Sequence, residues 1–60
     1  MSDLFDIIGR VLQRGYRLEF EPDEDDVTVR VLTSYNAVEA EEQFSLDDEE
    51  GVENFLGRFY

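Results

Sequence analysis

The chemistry open to this sequence is carboxylate chemistry. Six acids stand in the eight positions from Glu19 to Asp26, in "EFEPDEDDVTV", and eight more fall between Glu39 and Glu53. Such a run invites a calcium reading, but an EF-hand loop takes oxygen ligands at its first, third and fifth positions and glycine at the sixth. Counted from Asp23, the fifth position is Val27 and the sixth Thr28, so that loop is rejected and no metal is expected. A carboxylate pair of glycosidase type needs two acids desolvated across a cleft, and 60 residues leave little wall for one. The chain has no histidine and no cysteine, which removes imidazole bases, thiolate nucleophiles, disulfides and thiolate zinc sites. Ser2, Ser34 and Ser45 therefore have no base to activate them, and no glycine-rich phosphate loop is present. A non-enzyme without a cofactor is the expectation.

What the acids suit is recognition. Sixteen acids against five arginines and no lysine give a net charge of −11, which repels nucleic acid and anionic membranes and attracts basic proteins. The same composition also fits a salt-adapted cytoplasmic domain whose acids keep it in solution and have no partner, its role being structural or oligomeric. Disorder is excluded by 42% hydrophobic and 13% aromatic content. No apolar run approaches a membrane span and the N-terminus lacks a basic leader, so a cytoplasmic protein is expected.

The elements that must position the acids read as follows. Ser2 to Arg14 patterns as a helix, with Ser2 as N-cap, Asp3 and Asp6 near its positive end and Gly15 as its stop. Leu4, Phe5, Ile7, Ile8, Val11 and Leu12 make its apolar stripe. "YRLEF" and "VTVRVLT" alternate with period two, turning Tyr16, Leu18, Phe20, Val27, Val29 and Val31 inward and Arg17, Glu19, Thr28 and Arg30 outward. Pro22 and its acidic neighbours make Glu21 to Asp26 the hairpin loop. For residues 37–44, Asn36 with Glu39 offers a capping box, but Val38, Ala40 and Phe44 share one strand face after the turn "TSYN", and a third strand is preferred. Ser45 and Asp48 open a final helix, with acids through Glu50 in its first turn and the stripe Val52, Phe55, Leu56 and Phe59.

The result is one α+β domain over residues 1–60 in the order α-β-β-β-α, a two-layer fold with two helices on one face of a three-stranded antiparallel meander. In a meander, the first inter-strand loop and the turn into the last helix lie towards the same end of the sheet. The two acidic tracts are thus expected to merge. Glu21, Asp23, Glu24, Asp25 and Asp26, then Asp47, Asp48, Glu49 and Glu50, are the expected partner contacts. Tyr35, at the second hairpin tip, is a candidate anchor, although a turn tyrosine folded back on its own sheet is the plainer expectation. Glu39, Glu41 and Glu42 discourage pairing at the third strand's edge, which leaves a monomer or small homo-oligomer.

With this element order, "FDIIGRVLQRGYRLEF", the acidic run before "VTVRVLT" and the ending "GVENFLGRF" resemble the small phage-encoded type II anti-CRISPR proteins. Asp6, Ile7, Ile8 and Tyr16, with Val52, Glu53, Phe55 and Phe59, carry the likeness. The resemblance implies an acidic DNA mimic that covers the PAM-reading cleft of an RNA-guided nuclease in a host cytoplasm. Two departures stand against the family pattern. Ser34, Tyr35 and Asn36 occupy the turn where the family carries acids, and its further acidic C-terminal helix has no counterpart through Tyr60. The expected function is a small inhibitor that blocks a basic, nucleic-acid-binding protein and binds no nucleic acid itself.

Overall fold

A computed structural model describes residues 3–60, in the order α1 (Leu4–Gln13), β1 (Arg17–Asp23), β2 (Asp26–Leu32), β3 (Val38–Ser45), α2 (Glu49–Leu56) and a closing 3-10 turn (Gly57–Phe59). The three strands form one antiparallel sheet in the order β1-β2-β3. The α+β meander expected from the alternation is the observed fold, and residues 37–44 belong to strand because Val38 to Ser45 pair along β2.

Both helices pack on one face of the sheet. Val11 of α1, Val29 and Val31 of β2, Phe44 of β3, and Val52, Phe55 and Leu56 of α2 form the buried core. Phe55 joins the layers, its ring 5.5 Å from that of Phe44 and 5.8 Å from that of Phe59. Tyr16 closes the row edge-on to Phe59 at 5.5 Å. Two helices of ten and eight residues cover the middle strand and little more. In the row Phe20, Val29, Glu42, the central valine is fully buried while Phe20 is 45% exposed and Glu42 faces solvent. The same shortage leaves Phe5 at 85% and Leu12 at 49% exposure, so the α1 stripe is broader than the surface that receives it.

Chain turns explain the remaining boundaries. Ser2, the expected N-cap, lies outside the described residues; Asp3 occupies the N-cap position and its carbonyl accepts from the Ile7 amide at 3.0 Å. Gly15 takes the left-handed conformation expected of a helix stop, with φ +97°. Between β2 and β3, Thr33 Oγ1 accepts from the amides of Tyr35 and Ala37, each at 3.2 Å, and Asn36 adopts φ 68°. Backbone bonds from the Thr33 amide to the Ala37 carbonyl and from the Asn36 amide to the Thr33 carbonyl complete this short polar turn. Beyond it, Val38 pairs with Leu32 while Ala40 pairs with Val31, so Glu39 is the extra residue of a bulge.

Three expected boundaries move. The first hairpin loop is not six residues but two: Glu21, Pro22 and Asp23 continue β1, Asp26 begins β2, and Glu24 and Asp25 alone make the turn, with Glu24 at φ 49°. Pro22 is tolerated because β1 is an edge strand, where a missing amide need not break a ladder bond. Likewise Ser45 ends β3 and does not cap the last helix; Asp48 does, accepting the Gly51 amide at 3.1 Å. Gly51 makes this cap fit, since a Cβ there would lie 2.3 Å from Asp48 Oδ2. The last helix also stops short of the end, tightening into the 3-10 turn at Gly57.

Candidate functional site

The strand pairing sets where the acids go. Asp23 lies opposite Asp26, and Asp26 opposite Ser45, so the first turn and the exit from β3 share one end of the sheet. The Leu46 amide donates to the Asp25 carbonyl at 2.9 Å and ties the two tracts together. Asp47 follows, accepting from Ser45 Oγ at 2.8 Å, and Asp48, Glu49 and Glu50 form the N-terminal end of α2. Asp23, Glu24, Asp25, Asp26, Asp47, Asp48, Glu49 and Glu50 thus stand at one acidic end. Asp26 is anchored there by Gln43, whose Nε2 donates to Asp26 Oδ2 at 3.0 Å. The helix dipole of α2 favours negative charge at its first turn, so part of this placement is structural. Among the described residues, no three carboxylates converge closely enough to hold a metal ion.

Two expected contacts do not join this end. Tyr35 sits on the turn between β2 and β3, at the opposite end of the sheet, and it is 91% exposed where a ring folded back on the sheet was the plainer expectation. Its backbone amide is held by the Thr33 hydroxyl while the ring stays in solvent. Glu21 lies on the helix-free face of the sheet, where its Oε1 accepts from Arg30 at 2.7 Å.

Arg30 is the site residue that sequence reasoning passed over. From the middle of β2 it reaches Glu21 at 2.7 Å, Glu41 at 2.7 Å and Glu19 at 3.5 Å, one cation serving three carboxylates on both flanking strands. Its hydrogen bonds to Glu21 and then Glu41 raise its pKa above the usual arginine value, against a smaller opposing effect of desolvation. The outward alternation of Arg30 was visible in the sequence; its three partners depend on register. Replacing Arg30 with glutamine leaves Glu19, Glu21 and Glu41 facing one another. We expect Tm to fall by roughly 5 °C at low ionic strength and by less in molar salt, read by circular dichroism melting.

An electrostatic strain lies on α2. Partial burial first, then a hydrogen bond and repulsion from Glu49, with lesser repulsion from Asp3 and Glu50, raise the pKa of Glu53 above the usual carboxylate value. A folded carboxyl with a raised pKa holds its proton more tightly than the unfolded one. Glu53 therefore subtracts stability as pH rises through the interval between the ordinary value and the raised one, and the loss is restored below about pH 4. Accordingly, Glu53→Gln should raise Tm at neutral pH and low salt, and the gain should vanish in acid.

The fold and its charges define a small two-layer α+β domain with one strongly acidic end and a single-arginine clamp on its open sheet face. Compared with known protein families, curated proteins and solved structures, the chain matches none. Among the described residues, no helix is long and apolar enough to cross a membrane.

Proposed function

We propose that this protein is a small binding inhibitor, without catalysis, that presents its acidic end to the nucleic-acid-binding surface of a basic protein in a host cytoplasm. The observation that carries the reading is the hydrogen bond from the Leu46 amide to the Asp25 carbonyl, which holds two acidic tracts distant in sequence side by side. Clustered carboxylates on a short rigid turn and a helix end offer acceptors to Lys and Arg where phosphates would otherwise sit, with steering at long range. The resemblance to type II anti-CRISPR proteins makes an RNA-guided nuclease the first target to try. The acid-free turn at Tyr35 departs from that family, so the acidic end at Glu24 and Asp25 takes the leading part here.

The test is competition. Basic proteins retained from a host lysate on the immobilised chain should be released by duplex DNA and by raised salt, and a type II nuclease should lose PAM-dependent DNA binding in its presence. Retention that ignores both DNA and salt, or recovery of no nucleic-acid-binding protein, removes the proposal.

One observation favours a second reading. The like-charged contact between Glu53 and Glu49 is a cost that added cations relieve, as in a salt-adapted domain whose acids have no partner. A chain that unfolds at low ionic strength and folds only in molar salt would support this reading over the inhibitor.

A further inference from the structure

Three of the five arginines gather away from the acidic end. Arg10 and Arg14 lie at the C-terminal end of α1 and Arg58 lies in the 3-10 turn after α2, beside the start of β1 and away from the turn at Glu24 and Asp25. Two adjoining shallow depressions open there. Arg10, Gln13, Arg14 and Tyr60 line one; Arg14, Tyr16, Arg58, Phe59 and Tyr60 line the other, so Arg14 and Tyr60 are shared. Arg10 is paired with Asp6 at 3.3 Å and lies 5.6 Å from the centre of the Tyr60 ring. Arg58 lies 5.9 Å from the centre of the Phe55 ring. Among the described residues, neither Arg14 nor Arg58 forms an ion pair, in a chain with sixteen acids to offer.

We propose that these depressions bind a small phosphate monoester carrying a flat ring. Guanidinium groups match phosphate oxygens with paired N–H donors, and Arg14 and Arg58 have those donors uncommitted to carboxylates. Tyr60 is 41% exposed and lines both depressions, so the part of its ring that Arg10 does not cover is the surface a flat ring would meet. The net charge of −11 does not cancel the site. The molecule extends 29 × 26 × 14 Å, while charges are screened beyond about 10 Å at 0.1 M salt. A long polyanion would meet the acidic end as well; a compact dianion would stay clear of it, and Asp6 beside the depressions is paired with Arg10. This inference does not depend on what the acidic end binds.

The experiment is an NMR titration of the intact chain at about 0.1 M salt, following backbone and arginine Nε resonances, with phenyl phosphate, inorganic phosphate and sodium chloride at matched ionic strength. Expected are saturable shifts centred on Arg10, Arg14, Arg58 and Tyr60, and phenyl phosphate binding about 10-fold more tightly than inorganic phosphate. Arg14→Gln and Arg58→Gln should each weaken phenyl phosphate by about 10-fold while leaving the remaining spectrum folded. Shifts reproduced by chloride, shifts centred elsewhere, or unchanged affinity in both variants overturn the site. Equal affinity for phenyl phosphate and inorganic phosphate overturns the aromatic half of the assignment.

Discussion

Replacing Phe55 with alanine unfolds most of the protein. Phe55 is 4% exposed and touches both Phe44 on the sheet and Phe59 in the closing turn, so its ring is the contact through which α2 holds the sheet and the C-terminal segment together. Removing a buried phenylalanine costs about 3 to 5 kcal/mol, because the transfer energy is lost and the cavity refills only in part. A domain of 60 residues has a total stability of roughly 3 to 9 kcal/mol. The loss is therefore comparable with the whole, and a chain this small has no second core to fall back on. Circular dichroism and urea titration of Phe55→Ala should show a largely unfolded baseline. Phe5→Ala is the control: with Phe5 at 85% exposure, Tm should move little. A cooperative transition for Phe55→Ala close to that of the parent chain would refute the central place given to this ring.

The second large effect concerns the acidic end. Asp23→Asn, Glu24→Gln and Asp25→Asn combined keep the size of each side chain and leave the Asp25 carbonyl that accepts from Leu46 in place. On the proposed function, binding to a basic nucleic-acid-binding partner should weaken by roughly 100-fold at low salt, through slower association above all. The difference should contract in about 0.5 M salt, where charges on the protein surface are screened within a few ångström. Removing three crowded negative charges should leave the fold intact or slightly more stable, so lost binding could not be blamed on unfolding. Truncation of the exposed Tyr35 ring, as Tyr35→Ala, tests the other end of the sheet. If Tyr35→Ala weakens the partner as much as the triple change, the interface lies at the second hairpin and not at the acids.

How much of this was legible in the sequence follows from the range of the interactions involved. Helix stripes and strand alternation are local, each set by residues within a few positions of one another, so α1, β1, β2, β3 and α2 could be named in order. Gly15 and the turn after Thr33 were legible for the same reason, since their backbone demands are met by adjacent residues. The hairpin was read too long because acids and a proline look like loop by composition, whereas an edge strand accepts both. The final helix was started too early because Ser45 and Asp48 have the spacing of a cap, while Ser45 was claimed by pairing with Asp26.

By itself, then, the sequence determined the charge, the absent chemistries, the element types and the layer each apolar residue prefers, all of them properties of composition or short-range period. Only the tertiary structure decided which acids meet. Strand order and register set Arg30 between Glu19, Glu21 and Glu41, joined Asp25 to Leu46, and sent Tyr35 to the far end. It also decided which of the apolar side chains stay wet, leaving Phe5, Leu12 and Phe20 exposed although each lies on an apolar stripe. The physical reason is common to both outcomes: a residue's pattern fixes the direction it faces, but whether a partner or a covering layer stands there depends on segments distant in the chain.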